Sequence, residues 1–366
     1  MKTLSLSRRL RRTHVSEGLE AAPIKAYSVY NRMLLPTRFI SLEEDCRHLK
    51  EAVQVWDVAS QRQVEIKGPD AADLMQRLTP RDLHGMKVGR CYYVPVVDEN
   101  GGMLNDPVAL KLSEDRFWLS LADSDLLLWV KGIVLGMGLK VDVFEPDVSP
   151  LSIQGPRAEE LVSRVFGEAI RELTFFGFEY FPFADGRFLI ARSGWSKQGG
   201  FEIYVEGSHY GMPLWDALFE AGSGLDVRPG GPNLIERVEG GLLSYGNDMT
   251  LDNTPFECGL DRFCQPDKAI SCIGREALLR EMEAGPKRKI CPMEIDGDIP
   301  DSDRAWSVCT AGNLVGQVTS AAKSRDFGTN VAIAMLDRGF WEAGRELGVE
   351  TSTGNLTARV VDKFWN

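Results

Sequence analysis

The residues best able to do chemistry in this chain gather beside glycines: Tyr92-Tyr93, Gly194-Trp195, Phe201-Glu202-Ile203-Tyr204, Arg237 with Glu239, and Tyr245-Gly246-Asn247-Asp248. Aromatic faces accompanied by a few directed polar groups suit a flat heteroaromatic ligand. Each cluster also has a plainer reading. Phe201, Ile203 and Val205 alternate as a strand core does, which leaves Glu202 and Tyr204 on an opposite face that alone reads as surface. Arg237 and Glu239 alone read as a helix ion pair worth under about 1 kcal/mol.

Familiar catalytic engines are missing. Of the four histidines (His14, His48, His84, His209), none stands in a His-Glu-x-x-His pattern, and neither a Gly-x-Ser-x-Gly elbow nor a Walker loop occurs. Gly194, Gly199 and Gly200 do not have dinucleotide-loop spacing, and a strand rather than a helix follows them, so a Rossmann site is rejected. Seven cysteines (46, 91, 258, 264, 272, 291, 309) form no Cys-x-x-Cys pair and have no histidine at metal-ligand spacing. No metal is expected, and a reducing cytoplasm fits.

The chain that must position these residues has 366 of them, 43% hydrophobic and 26% charged, which is ordinary for a globular protein of two or three domains. Its 42 basic and 53 acidic residues give a net charge of −11, which disfavours nucleic acid and anionic membranes as partners. The apolar run Leu126 to Leu139 is broken by Lys131 and is shorter than the ~20 residues of a membrane span. Arg8, Arg9, Arg11 and Arg12 have no apolar segment after them, so the N-terminus reads as a solvated or dimer-contacting arm, which leaves a homodimer open.

One internal echo organises the rest. Val64-Glu-Ile-Lys-Gly-Pro-Asp-Ala-Ala-Asp-Leu-Met75 matches Leu151-Ser-Ile-Gln-Gly-Pro-Arg-Ala-Glu-Glu-Leu-Val162, and both read as strand, Gly-Pro, helix. The segments after the first copy, Tyr92 to Val97, Val108 to Leu112 and Phe117 to Leu121, read as an antiparallel meander, followed by a helix over Ser124 to Leu139 and a strand at Lys140 to Val143. Strands at Leu189 to Arg192 and Phe201 to Val205 follow the second copy. Arg228-Pro-Gly-Gly-Pro232 reads as a junction before a helix over Asn233 to Leu243, and four short β-type segments after Lys289 suggest a small β-rich domain. The expected fold class is α+β, divided as an arm over 1–50, a first α+β domain over 51–145, a second with connecting helices over 146–280, and a C-terminal β-rich domain over 281–366.

At these segments the chain resembles the folate-dependent T-protein (aminomethyltransferase) superfamily. The matched motifs run in order from Tyr30-Asn-Arg-Met-Leu-Leu-Pro36 through Gly101-Gly-Met-Leu-Asn-Asp-Pro107, Ala191 to Glu202, Glu236-Arg-Val-Glu239 and Ser244-Tyr-Gly-Asn-Asp-Met249 to Gly316-Gln-Val-Thr-Ser320. The resemblance implies three domains around a central folate site, with tetrahydrofolate as the one-carbon acceptor. By matched position it implies that Glu202 holds the pterin, that Tyr93, Trp195 and Tyr204 are aromatic walls, and that Arg237 contacts folate. Asn105 and Asp106 take the catalytic positions. Tyr30, Met33, Trp195, Lys197 and Tyr204 line the site of a small-molecule methyl donor.

Two departures separate the chain from the glycine-cleavage branch and resemble the branch that demethylates dimethylsulfoniopropionate. Where the former carries an Asp-Asp pair, this chain has Asn105-Asp106, and Asn cannot exchange a proton. Where the former reads Tyr-Thr-Gly-Glu-Asp-Gly, this chain has Trp195-Ser-Lys-Gln-Gly-Gly200. An indole is a good face for a cation, and Lys197 suits a carboxylate, so a sulfonium zwitterion would use both. A sulfonium methyl already has a neutral leaving group, which accounts for the missing acid–base engine. The alternatives on the same scaffold are demethylation of another methylated cation, glycine-cleavage aminomethyl transfer, and a non-enzymatic folate-binding protein of iron–sulfur assembly. The last is disfavoured at Ile270 to Glu276, where Cys272 reads as a packed thiol.

Overall fold

The computed structural model describes residues 7–20 and 22–365. The two echoed segments form the same unit twice. The strand Gln63–Lys67 leads through Gly68-Pro69 into the helix Ala71–Leu78, and Val148–Gln154 leads through Gly155-Pro156 into Ala158–Phe166. Gly68 and Gly155 both have positive φ, and a Cβ on either would lie 2.5 Å from a carbonyl oxygen, of Lys140 and Ala52 respectively. Only glycine allows that approach. Ala71, Leu74, Met75 and Leu78 of one helix, and Ala158, Leu161, Val162 and Phe166 of the other, recur at helical spacing and bury one face on their own sheet.

The sheets do not follow the boundary expected near residue 146. Val53–Asp57, which precedes the first echo, pairs antiparallel with the second echo strand; Asp142–Phe144, which precedes the second, pairs with the first. Each half thus lends its leading strand to the other. The five-stranded sheet runs Asp142–Phe144, Gln63–Lys67, Arg116–Ser120, Val108–Ser113, Cys91–Tyr93. The six-stranded sheet runs Phe178–Phe183, Gly186–Ala191, Gly200–Glu206, Val148–Gln154, Val53–Asp57, Val227–Gly230. The last of these covers the expected junction at Arg228: Pro229 is tolerated because the strand lies at the sheet edge, parallel to Val53–Asp57.

The helix-free faces of the two sheets meet. Cys91, Leu110 and Trp118 from one, and Val148, Leu189, Ala191 and Tyr204 from the other, form one buried cluster, with the Trp118 and Tyr204 rings 5.9 Å apart. The Glu202 and Tyr204 face is therefore an inter-sheet interface and not open surface. Beyond the helix Leu234–Glu239, shorter than its sequence suggests, the chain closes a six-stranded barrel over Arg288–Val360. Trp306–Thr310 and Glu346–Thr351 join the four barrel segments visible in the sequence.

Candidate functional site

Asp106 follows the short strand Met103–Asn105, which pairs with Val96–Val97 apart from the main sheet. Its Oδ2 accepts a hydrogen bond from the Tyr93 hydroxyl at 2.8 Å, while Oδ1 is buried without a partner among the described residues. Burial raises the pKa of this carboxyl to about 7, against the opposing pull of the Tyr93 hydrogen bond. Tyr30 and Tyr245 feel the same carboxylate. Burial first, then the Asp106 charge, pushes both phenols up, Tyr245 to about 12. The Tyr245 hydroxyl donates to the Met103 carbonyl at 2.9 Å, which ties its loop to the Asp106 strand. Three tyrosines from distant segments thus surround one half-satisfied carboxylate.

Tyr30 and Met33 are opposite partners in a two-residue hairpin whose tip, Asn31-Arg32, has positive φ at both positions. Opposite partners put their side chains on one face. The Asn31 side chain donates to the carbonyls of Ser60 and Ala122, and its backbone N–H donates to Asp123 Oδ1 at 2.7 Å, so the hairpin is docked on the loop 122–124. Asn105 grips the same loop. Its Nδ2 donates to the Ala122 carbonyl and, at 2.7 Å, to Ser124 Oγ, while Oδ1 accepts from Ala122 N–H at 3.0 Å. The fully buried amide of Asn105 is spent on backbone and Ser124. In this structure it is a positioning residue that fixes Asp106, not a group facing a substrate. Asn105→Asp is accordingly expected to remove two donations and bury a charge beside a carbonyl, at a cost of about 2 to 4 kcal/mol in unfolding free energy by denaturant titration.

Glu202 lies on Gly200–Glu206, buried between the sheets. Its Oε2 accepts from Ser193 Oγ at 2.5 Å and from the Tyr204 hydroxyl at 3.4 Å; no described residue donates to Oε1. Burial raises its pKa, and no cation offsets it. A carboxylate held this way suits a ligand bearing two adjacent N–H donors. Tyr204 is fully buried behind it, against Trp118, so it positions Glu202 more than it walls an open pocket.

The loop 193–200 is pinned by residues the sequence did not single out. Gln154 accepts from Ser196 Oγ at 2.6 Å, and its amide lies so close to Gly194 and Gly200 that a Cβ on either would come within 2.3 Å of it. Glu236, buried, accepts from Lys197 N–H at 2.7 Å. Among the described residues the partly exposed Trp195 has no ring partner and the exposed Lys197 has no ion pair. Both stay free for a ligand.

Arg237 departs from expectation. It does not pair with Glu239: residues two apart on a helix face different ways. Its guanidinium bonds Asp248 at 2.8 Å and Ser320 Oγ at 2.6 Å, and Asp248 also accepts from Thr319, Ser320 and Ser244 N–H. Glu239 instead pairs with Lys50. Arg237 thus fastens its helix and the Tyr245 loop to the barrel, with two of its nitrogens spent. Clefts of about 310 Å³ beside His14 and His209, and about 90 Å³ beside His48 and Arg228, lie apart from all these residues. Among the described residues no cluster could hold a metal, and no helix is long and apolar enough to cross a membrane.

Comparison with known proteins agrees with this architecture. Residues 17–268 match the model of the GCVT N-terminal domain, and residues 288–365 that of the glycine cleavage T-protein C-terminal barrel domain. The chain is 56% identical over 365 residues to a dimethylsulfoniopropionate demethylase of Ruegeria pomeroyi, covering 100% of both chains. It is 30% identical over 334 residues to an aminomethyltransferase of Bacillus mycoides, covering 89% of this chain and 90% of that one. The solved glycine cleavage aminomethyltransferase T of Bartonella henselae superposes with a TM-score of 0.88 at 23% identity, covering 98% of each chain, and so shares the fold. With both domain models matched in order across nearly its whole length, the chain belongs to the glycine cleavage T-protein family.

Proposed function

We infer that the protein is a tetrahydrofolate-dependent demethylase that converts dimethylsulfoniopropionate to 3-methylmercaptopropionate and 5-methyltetrahydrofolate. The observation that carries this reading is the full-length 56% identity to the Ruegeria pomeroyi demethylase. The chemistry of the site supports it. Asp106, buried among Tyr30, Tyr93 and Tyr245 with an unpartnered oxygen, offers a cation both a counter-charge and aromatic faces. Glu202 has one free carboxylate oxygen for the pterin donors, Trp195 a free indole, and Lys197 a free ammonium for the donor's carboxylate.

The folate N5 supplies the nucleophile when bound, the sulfide leaves neutral, and one proton is released from N5. What the chain contributes is alignment and exclusion. Glu202 fixes the ring plane, Asp106 holds the positive charge, and the packed interface keeps water from competing for the methyl group. No general acid is needed. The seven free thiols fit the reducing cytoplasm in which we place the protein. A donor panel with purified protein and tetrahydrofolate tests the assignment: dimethylsulfoniopropionate should be demethylated, while glycine betaine and an aminomethyl-bearing carrier should not. Turnover of the carrier instead would move the protein to the aminomethyltransferase branch.

A further inference from the structure

The hairpin that carries Tyr30 and Met33 is a poor platform by itself. It is a separate two-stranded sheet, Ala26–Tyr30 paired with Met33–Arg38, and Tyr27, Ser28 and Val29 of its first strand are exposed. Two strands alone are marginally stable in water, so whatever holds the tip decides where Tyr30 stands. Arg32 contributes little to that. Its ion pair with Asp125 joins side chains that are 63% and 57% exposed, and its carbonyl accepts one bond, from Arg11 N–H at 2.8 Å. Asn31 is different: it is 6% exposed, and its Nδ2 donates to the carbonyls of Ser60 at 2.9 Å and Ala122 at 3.0 Å.

The Ala122 carbonyl is also the acceptor of Asn105 Nδ2, at 3.1 Å. One oxygen with two lone pairs thus receives two amides, one from the residue after Tyr30 and one from the residue before Asp106. The next residue completes the link. Asp123 takes the Asn31 N–H on its carboxylate at 2.7 Å, and its own N–H bonds the Tyr30 hydroxyl. The aromatic wall and the counter-charge are therefore measured from a common point, Ala122-Asp123. Position 31 asks for two things at once, a left-handed backbone (φ 48°) and donors aimed at two carbonyls, and asparagine supplies both. Resting on the demethylase reading above, we propose that Asn31 is a positioning residue for the methyl donor: acting through Tyr30, it sets the separation of the Tyr30 ring from the Asp106 carboxylate and so the place of the cation between them.

Glycine at position 31 accepts the left-handed turn but carries no amide, so Asn31→Gly keeps the hairpin and loses the link. With dimethylsulfoniopropionate and saturating tetrahydrofolate, kcat/KM should fall about ten- to a hundredfold, the scale of a donor misplaced by about 1 Å. Tetrahydrofolate affinity, titrated on the same sample, should stay within about twofold of the wild type. Asn31→Asp, which keeps the side-chain shape but turns a carboxylate toward two carbonyls and Asp123, should show the same split. If Asn31 acts through Tyr30, the two effects are not additive: in a Tyr30→Leu background, Asn31→Gly should cost less than about threefold more. Unchanged kcat/KM in both variants overturns the proposal. So does a parallel loss of folate affinity, which makes Asn31 a general structural residue, and so does the full loss in the Tyr30→Leu background. A wild type that binds tetrahydrofolate but leaves the sulfonium untouched overturns the demethylase reading, and the proposal with it.

Discussion

Asp106→Asn is expected to lower kcat/KM for the sulfonium donor by about a hundredfold or more, the consequence of leaving a buried cation without its counter-charge at about 3 to 5 kcal/mol. The fold should not suffer. In the native state burial holds the pKa near 7, against ~3.9 for an unfolded aspartate. A raised native pKa means that the stability this group contributes is fully present below about pH 4 and lost as pH rises through 7. The neutral amide removes that loss, so the variant should melt at an equal or higher temperature at pH 8. Activity runs the other way. The free enzyme must be ionised at Asp106 to hold the donor, so kcat/KM should rise through about pH 7 in the wild type and lose that inflection in the variant. A variant that melts early with a normal rate would make Asp106 structural.

Glu202→Gln should weaken tetrahydrofolate binding about 10- to 100-fold, or ~1.5 to 3 kcal/mol. Ser193 Oγ already donates to one oxygen of residue 202. Gln would keep its carbonyl there and turn its amide hydrogens toward the ligand's own donors. Because burial raises the Glu202 pKa and no cation among the described residues pairs with it, the neutral side chain should fold well. Unchanged folate affinity by titration would remove Glu202 from the site.

Local pattern made much of the fold legible. The Gly-Pro echo announced two related units because the same glycine must admit a carbonyl in each, at Gly68 and Gly155. The strand exchange that defeats the boundary near 146 was invisible, since Val53–Asp57 and Asp142–Phe144 carry nothing to say which echo they pair with. Pairing is non-local. The same limit applies to the site. Asp106, Tyr93, Glu202 and Asn105 are all reached by matched position, which cannot show that the Asn105 amide is spent on Ala122 and Ser124 of another loop. Arg237 is a folate contact by matched position alone, and its bonds to Asp248 and Ser320, 11 and 83 positions away, are not legible in the sequence. Gln154 and Glu236 had only the glycines they press on, and the motif they pin, as signals.

The most direct test of the account follows the methyl group itself. Purified protein is given dimethylsulfoniopropionate with deuterated S-methyl groups and unlabelled tetrahydrofolate, and the products are resolved by mass spectrometry. The expected result is one deuterated methyl on N5 for each 3-methylmercaptopropionate formed, with no product in the absence of folate. Label found in methanol, or demethylation that proceeds without folate, would contradict in-line transfer between the two bound substrates.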